Sequence, residues 1–304
     1  MVESDIKDFG SMVDRTSGLP DEILVSILSL LSLKEAQATS ILSRRWQYVW
    51  AYCITLNFAE KILVRFRELD REARELERCR YVNWVDSVLK QHRAVNIELF
   101  RVAFNRGPRS SIDEWIQLAM RKGVQMLELD FSAHAPLLDE KYRFSGKLFG
   151  IGETSGLESS CSEYIGFKCL KVLDLKSVEV DQVVPEYFIS NCPVLERLAV
   201  YKSYSLVNLR VVGQSIALKY LVIQKCFGIE SIEISDANLV SFIYEGGLEN
   251  LLLRNLPLLV EISLLEGLIC YDLKIASRSL SCCLSQLEIL KLKYCNIPPS
   301  LYLL

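Results

Sequence analysis

One apolar pattern recurs along most of the second half of the chain. Five segments share the order apolar-x-x-apolar-x-apolar, and they begin at Val124, Leu170, Leu195, Leu218 and Leu287. From 170 to 195 and from 195 to 218 the steps are 25 and 23 residues. Because one segment buries three apolar side chains on one side of a short strand and cannot close a core alone, neighbouring segments must stack. The sequence therefore predicts a solenoid with a curved parallel β-sheet and irregular repeats.

Further copies of the pattern lie roughly halfway between these segments. They begin at Leu206, Ile229 and Leu248, and Leu239 begins a weaker one. In this stretch we therefore expect strands on both faces of the solenoid, with short turns instead of helices on the convex side. The steps of 25 and 23 residues fall within the period of leucine-rich repeats, and the spacing of the other main segments is less regular.

The strongest helix signals lie between residues 14 and 57. Pro20 and the two acids that follow it suit the first turn of a helix, and apolar residues then recur along one helical stripe. Ser32 and Glu35 form a capping-box pattern that starts a second helix, and Ser43 can cap a third. About 45 residues are close to the lower limit for an independent core. Three short helices with this many leucines and two tryptophans should therefore need a partner surface.

Several motifs in this module closely resemble the plant-type F-box. They are Asp14-Arg15, Leu19-Pro20-Asp21-Glu22-Ile23-Leu24, Ile27-Leu28-Ser29, Thr39-Ser40, Leu42-Ser43-Arg44-Arg45-Trp46 and Trp50. The resemblance implies binding to the Skp-type adaptor of an SCF (Skp, cullin, F-box) ubiquitin ligase, and through it to cullin and RING subunits. The implied adaptor-binding residues are Leu19, Pro20, Ile23, Leu24, Ile27, Leu28, Leu31, Leu42, Trp46 and Trp50. Ser32 stands where the family usually has proline, and its capping box can replace that proline.

The repeat region is similar to that of plant F-box/leucine-rich-repeat proteins of the FBD-associated kind. Cys192-Pro193, just before Leu195, resembles the turn that precedes the strand in their repeats. We therefore predict an α/β protein with an F-box at residues 12–57, a helical connector at 58–94 and a leucine-rich-repeat solenoid at 95–304. Many relatives carry a further C-terminal FBD domain, which we expect to be absent or truncated here.

The connector is dense in charges of both signs. Apolar residues at Ile62, Phe66, Leu69, Ala73 and Leu76 predict an amphipathic helix with a charged, solvated face. A second helix is predicted over residues 81–90. A strand is predicted over residues 95–104, with Ile97, Leu99 and Val102 on its inward face, followed by a helix over residues 112–121.

Substrate-facing positions follow from the strand pattern. The residue between the last two apolar positions of a segment, and the residue just after them, should face the concave side of the sheet. This rule selects Asp174, Lys176, Tyr201, Gln224, Lys291 and Lys293 as candidate substrate-binding residues.

Other classes of function have little support in the sequence. The net charge of −3, from 35 basic and 38 acidic residues, does not predict a nucleic-acid partner. The chain has no run of about 18 apolar residues, so no membrane span is expected. Ten cysteines without a Cys-x-x-Cys pair are read as reduced thiols, and with two histidines they predict no metal site and no cofactor. No catalytic motif appears, so we do not expect an enzyme.

These observations favour a substrate-recognition subunit of an SCF-type ubiquitin ligase. Its F-box would dock the adaptor, and its repeat face would hold an unidentified target protein for ubiquitination. The alternative is a scaffold or decoy that binds the adaptor without ubiquitin output, because the missing C-terminal domain could remove target binding. The acidic residues near Met1 do not resemble a signal peptide, so a cytoplasmic or nuclear location is expected.

Overall fold

The computed structural model describes residues 18–59, 69–103, 109–132, 141–144, 146, 168–214, 216–246, 251–265, 280–281 and 283–293. The helices in these ranges are α1 (Asp21–Leu28), α2 (Leu33–Ala38), α3 (Trp46–Val49), α4 (Arg71–Gln91), α5 (Arg109–Arg121) and α6 (Val183–Asn191). The first six strands are β1 (Thr55–Asn57), β2 (Leu99–Ala103), β3 (Met126–Asp130), β4 (Val172–Lys176), β5 (Arg197–Tyr201) and β6 (Asn208–Val212). The others are β7 (Tyr220–Gln224), β8 (Ser231–Ser235), β9 (Ser241–Glu245), β10 (Leu251–Arg254), β11 (Glu261–Leu265) and β12 (Ile289–Lys293).

The strands form two parallel sheets. Counted over the described ranges, the larger sheet has nine strands in the order β1-β2-β3-β4-β5-β7-β9-β11-β12, and the smaller has three in the order β10-β8-β6. Every paired strand runs parallel to its neighbour. The five main segments of the pattern form β3, β4, β5, β7 and β12, and the halfway segments that begin at Leu206, Ile229 and Leu248 form the second sheet. The weaker segment at Leu239 instead forms β9 of the large sheet. The predicted α/β architecture, a helical module followed by a parallel-strand solenoid, is confirmed.

Two strands of the large sheet, β1 and β11, are not among the segments predicted from the sequence. Both β1 and β11 carry the same pattern, in Cys53-x-x-Leu56-x-Phe58 and Leu259-x-x-Ile262-x-Leu264, and all six apolar residues are buried. The pattern in β2 is also shifted from its prediction. Phe100 faces the core with Ile97 and Val102, whereas Leu99 is only half-buried and lies on the other face of the strand. Adjacent residues of a strand point to opposite faces of the sheet. Pairing with β3 sets Phe100 beside Leu127 and Val102 beside Leu129, so these residues face the core and Leu99 does not.

In the described part of the connector, a single helix runs through the position near Tyr81 where a break is predicted. Helix α4 begins after Asp70, whose carboxylate accepts a hydrogen bond from the Ala73 N–H at 2.8 Å, and continues for 21 residues. Tyr81 is buried in the middle of it and donates its hydroxyl to the Phe58 carbonyl at 3.0 Å. The prediction of two helices was therefore wrong in this part of the chain. The predicted helical residues Ile62 and Phe66 lie outside the described residues.

Left-handed backbone residues end several strands. Ser177, Lys202, Lys225, Asp236 and Asn255 all have a positive φ, between 44° and 56°. The N–H groups of the first four donate to carbonyls at the end of the next strand in the same sheet, over 2.8 to 3.2 Å. This repeated turn lets each repeat leave the sheet in the same direction, which keeps the solenoid in register.

One continuous apolar core joins the helical module to the solenoid. It runs from Leu24 in α1 to the side chains under β11 and includes residues of both sheets. At the junction, β1 extends the large sheet, and the Arg93 N–H donates to the Ala51 carbonyl at 2.7 Å. The module and the sheet are therefore packed together through core contacts and backbone hydrogen bonds. Within the described ranges, no helix combines the length and apolarity needed to cross a bilayer.

Candidate protein-binding surfaces

The N-terminal module exposes a large number of apolar side chains. Ile23 and Ile27 of α1 are partly accessible, and Leu30 and Ile41 are 86% and 88% exposed. We call these residues, together with their exposed neighbours, the helical apolar patch: Ile23, Ile27, Leu30, Leu31, Ile41 and Leu42. Large apolar groups left in water at this density are typical of interaction sites in soluble proteins.

The ten predicted adaptor-binding residues divide into two groups in the structure. Pro20, Ile23, Ile27, Leu31 and Leu42 are exposed, and Leu19 is half-buried. The nearly inaccessible group consists of Leu24, Leu28, Trp46 and Trp50. A helical stripe wide enough for five apolar residues faces the core on one side only, so its flank remains in water. The four buried side chains instead belong to the apolar core in this conformation.

Two exposed members of the patch were not selected from the sequence. Leu30 follows the end of α1, and Ile41 ends the 3₁₀ turn Thr39–Ile41. Both lie off the helical stripe, which is why stripe periodicity alone did not select them. The signal that could have found them is the pairing of each with a second apolar residue, Leu31 and Leu42, in segments too short to bury both.

Polar contacts hold the module in shape. The predicted capping box is present, since the Ser32 hydroxyl accepts from the Glu35 N–H at 3.3 Å and the Glu35 carboxylate accepts from the Ser32 N–H at 2.9 Å. Arg45, next to α3, donates to the Asp21 carboxylate at the start of α1 at 2.6 Å. These bonds fix the loop between α1 and α2 and the approach of α3, so the patch is presented on a defined backbone.

Helix α2 is also tied to the connector. The Trp84 indole N–H in α4 donates to the Gln37 side chain at 2.9 Å, and the Lys34 ammonium lies 4.6 Å from the Trp84 ring centroid. Both contacts link the module to the helix that leads into the solenoid.

The inner face of the large sheet consists of three rows of side chains. Strand register aligns the middle row across the sheet, which holds Arg101, Glu128, Asp174, Ala199, Val222, Ile243, Ser263 and Lys291. The row after it holds Ala103, Asp130, Lys176, Tyr201, Gln224, Glu245, Leu265 and Lys293. All six predicted substrate-facing residues therefore occupy these two rows, which alternate with the buried core positions.

The structure brings three of the six together. The Lys176 ammonium lies 3.6 Å from the Asp174 Oδ2 atom and 5.4 Å from the centroid of the Tyr201 ring. Gln224 is half-buried one strand further along. Lys291 lies near the other end of the sheet, where its ammonium pairs with Glu261 at 3.0 Å. The side chain of Lys293 lies outside the described residues.

Charged partners of Asp174 were missed by the sequence rule. Arg101 and Glu128 of the middle row form an ion pair at 2.5 Å, beside Asp174 on the adjacent strand. Burial raises the pKa of Asp174, Glu128 raises it further, and Lys176 and Arg197 oppose the shift. Burial likewise raises the pKa of Tyr201. Applying the same positional rule to the strands before β4 would have selected Arg101 and Glu128.

Metal and nucleophile chemistry find no support in the described ranges. No group of three or more His, Cys, Asp and Glu side chains that could hold a metal ion occurs among those residues. The thiols of Cys53, Cys192 and Cys226 are free and buried, and burial raises their pKa values to about 11, 12 and 11. A thiol with such a pKa is protonated at neutral pH and is a poor nucleophile.

The helical module and the solenoid together define a modular protein-interaction chain, and comparisons with known proteins agree. The F-box domain model matches residues 16–56, and the model described as At1g61320/AtMIF1, LRR domain, matches residues 88–297. This chain belongs to the F-box/LRR family of proteins.

Several relatives from Arabidopsis thaliana are named as F-box proteins, and some of these names also include LRR repeats. FBD-associated F-box protein At4g10400 is 32% identical over 199 residues, which cover 63% of this chain and 46% of that protein. Putative F-box/LRR-repeat protein At3g58880 is 34% identical over 191 residues, covering 62% and 42%. F-box/FBD/LRR-repeat protein At1g13570 is 28% identical over 261 residues, covering 84% and 54%. The chain thus spans about half the length of the curated relatives that it matches. No solved structure matches it.

Proposed function

We propose that this chain is a non-enzymatic substrate-recognition subunit of an SCF-type ubiquitin ligase, working in the cytoplasm or nucleus. Its helical apolar patch docks a Skp-type adaptor, which connects it to cullin and RING subunits. The inner face of its solenoid binds a target protein for ubiquitination. The observation that carries this proposal is the exposed apolar patch on an F-box module whose core is continuous with the repeat sheet.

The patch has the chemistry of a docking surface. Covering a leucine or isoleucine side chain that is largely exposed gains about 1.5–3 kcal/mol of hydrophobic free energy. Leu30 and Ile41 are the most exposed of the six, so they have the most to gain from a partner. Because the apolar core of the module is already packed, docking through these exposed side chains requires no new burial of core residues.

The rigid junction supports a role in positioning a target. A receptor that contributes no chemistry can still raise a reaction rate by holding the reacting groups close together. Such an effect requires that the adaptor surface and the target surface keep a fixed geometry. The pairing of β1 with β2 and the bond between Arg93 and Ala51 supply backbone connections between the two surfaces.

Co-purification with a Skp-type adaptor tests the docking step. The substitution Leu30→Asp places a charge in the patch at a position that carries none of the core, so the fold should be retained and the adaptor lost. Val95→Asp is the matched control, because Val95 is 82% exposed and lies outside the patch. Adaptor binding that is equal in Leu30→Asp, Val95→Asp and the natural chain would refute docking through this patch.

A second measurement separates a receptor from a scaffold or decoy. Mass spectrometry of the adaptor complex should find cullin and a stoichiometric third protein if the chain is a receptor. That protein should accumulate in cells when the chain is deleted. A complex with the adaptor but without any protein whose level responds to the deletion would support the decoy instead.

A further inference from the structure

A cavity of about 190 Å³ opens on the inner face of the solenoid, where β2, β3 and β4 end. Its charged walls are Arg101, Glu128, Asp130, Asp174 and Lys176, and small residues complete it on one side. Small-molecule sites usually enclose about 300 Å³ or more. The cavity is therefore of a size for one side chain of a partner and too small for a typical cofactor.

The charges in this cavity do not cancel. The Nε and Nη2 atoms of Arg101 both contact Oε2 of Glu128, at 2.6 and 2.5 Å, so these two residues neutralise each other. Asp130 and Asp174 are left with one base in the cavity wall, Lys176, and Arg197 of β5 acts on Asp174 from outside the wall. Oδ1 of Asp130 accepts from the N–H and hydroxyl of Ser132, and no donor to its Oδ2 is found among the described residues. The charge of the residues that line the cavity is therefore negative, and Arg197 offsets part of it at Asp174.

The Asp174 carboxylate lacks close hydrogen-bond donors among the described residues. Its Oδ1 atom has less than 1 Å² exposed to solvent and has no hydrogen-bond partner within the described part of the chain. Its Oδ2 atom faces Lys176 at 3.6 Å, which is longer than an ordinary hydrogen bond of about 2.7–3.2 Å. A carboxylate removed from water without close donors is destabilising. Burial raises the pKa of Asp174 for the same reason, because it removes water from the charged carboxylate.

An incoming donor can reach this carboxylate from the cavity. The Lys176 side chain is 37% exposed and holds Asp174 only loosely, so it can turn toward solvent over the Tyr201 ring. A donor that takes the place of Lys176 can therefore bind the Oδ2 atom at hydrogen-bond distance without any movement of the backbone.

We infer that this cavity receives one basic side chain, arginine or lysine, from the target protein. The N–H donors of that side chain bind Asp174 and the free oxygen of Asp130, and they replace the long contact with Lys176. A guanidinium offers several donors in a fixed plane, which suits two carboxylates, whereas an ammonium offers three on one atom. This inference rests on the proposed function, because it names the chemical class that the inner face recognises.

Short peptides test the inference directly. The full chain is purified with its adaptor and titrated, at constant ionic strength, with acetyl-Gly-Arg-Gly-amide, acetyl-Gly-Lys-Gly-amide and acetyl-Gly-Gln-Gly-amide. Binding is followed by saturation-transfer NMR of the peptide side chain. We expect saturable binding of the arginine or lysine peptide and none of the glutamine peptide. The two basic peptides then show whether a guanidinium or an ammonium is preferred.

Two variants locate the binding. Asp174→Asn should raise the dissociation constant of the basic peptide by at least about tenfold, because a charge-assisted hydrogen bond is lost. Ala59 lines the cavity, so Ala59→Leu fills part of it without changing a charge and should weaken binding of the basic peptide to a similar extent. This variant provides the test if Asp174→Asn does not fold. Glu233→Gln is the matched control, because Glu233 pairs with Arg210 in the other sheet. No saturable binding, or binding unchanged in both cavity variants, would overturn the inference.

The same preparation separates this inference from the proposed function. A complex that retains the adaptor and a target protein, but shows no binding of the basic peptides, overturns only the assignment of the cavity. Loss of the adaptor from the natural chain would overturn the docking proposal whatever the peptides do.

Discussion

The Lys122 ammonium lies 3.0 Å from Nδ1 of His92 and also donates to the carbonyls of His92 and Ala94, at 3.2 and 2.8 Å. Since the ammonium has only donors, Nδ1 of His92 must be an acceptor. The proton of the neutral ring is then on Nε2, which donates to the Cys53 carbonyl at 3.0 Å. This buried histidine connects the end of the F-box module to the turn after α4.

The pKa of His92 makes this junction sensitive to pH. Burial lowers the pKa below its ordinary value of 6.5, the hydrogen bond to Cys53 opposes the shift, and the charge of Lys122 reinforces it. The unfolded chain therefore takes up a proton first as the pH falls. The contribution of His92 to stability is complete above about pH 7 and decreases below pH 6.5, until the folded state is protonated as well.

We expect His92→Gln to reduce the pH dependence of unfolding between pH 7.5 and 5.5. The slope that one histidine adds is at most about 1.4 kcal/mol per pH unit. Urea denaturation of the full chain at several pH values measures it, and His134→Gln is the control because the chain has two histidines. An unchanged slope in His92→Gln would show that the junction does not titrate in this range.

Glu179 is expected to be important for stability. Its carboxylate is buried and accepts the backbone N–H groups of Tyr204 and Ser205, both at 2.8 Å, and the Lys141 ammonium at 2.9 Å. Burial raises its pKa, but these hydrogen bonds outweigh burial, and the net pKa is lowered.

Glu179→Ala should lower the free energy of unfolding by about 3 kcal/mol, because it leaves two backbone donors and one ammonium without their acceptor. Glu233→Ala, which removes an exposed ion pair with Arg210, should cost about 1 kcal/mol or less. Denaturant titration compares the two. Equal losses would mean that the buried network contributes no more than a surface pair.

The left-handed turn positions predict a stabilising substitution. Lys225 is exposed and has a φ of 55°, a conformation that costs a residue with a Cβ atom about 1–2 kcal/mol. Lys225→Gly removes that strain, and part of the gain is offset by the greater freedom of glycine in the unfolded chain. We expect the free energy of unfolding, measured by thermal or urea denaturation, to increase by about 0.5–1 kcal/mol. Lys171→Gly, at an exposed position without a positive φ, should instead lose about 0.5–1 kcal/mol; a loss in both variants would contradict the role of the turn.

Gly228 is required for the close approach of two loops. A Cβ atom at this position would overlap the carbonyl oxygen of Tyr204 and lie 3.2 Å from its carbonyl carbon. Because backbone atoms cannot move aside as a flexible side chain can, Gly228→Ala should cost about 2 kcal/mol or more. At Gly123 the φ of 58° is strained for alanine, but the nearest atom is 3.7 Å away, so Gly123→Ala should cost about 1 kcal/mol. Thermal unfolding of both variants tests this order, and the reverse order would contradict it.

Much of the strand order could be predicted because the repeat pattern is local. In a segment such as Leu195-x-x-Leu198-x-Val200, the spacing of the apolar residues predicts both the strand and the face that points to the core. Parallel stacking follows because a single segment cannot close a core alone. The same pattern in the segments of β1 and β11 was overlooked, although no information was missing there. Tyr81 differs, since its burial against Phe58 depends on a contact between distant parts of the chain.

The sequence by itself determined the helical module, the capping box at Ser32, the repeated strands and the two rows of residues on the inner face, because each depends on spacings within a few residues. Only the tertiary structure decided that Leu24 and Trp46 are buried while Leu30 and Ile41 remain in water, and that Arg101 and Glu128 neutralise each other beside Asp174. Burial and ion pairing depend on neighbours that are distant in the chain, and stacking of the repeats is what brings those neighbours into contact.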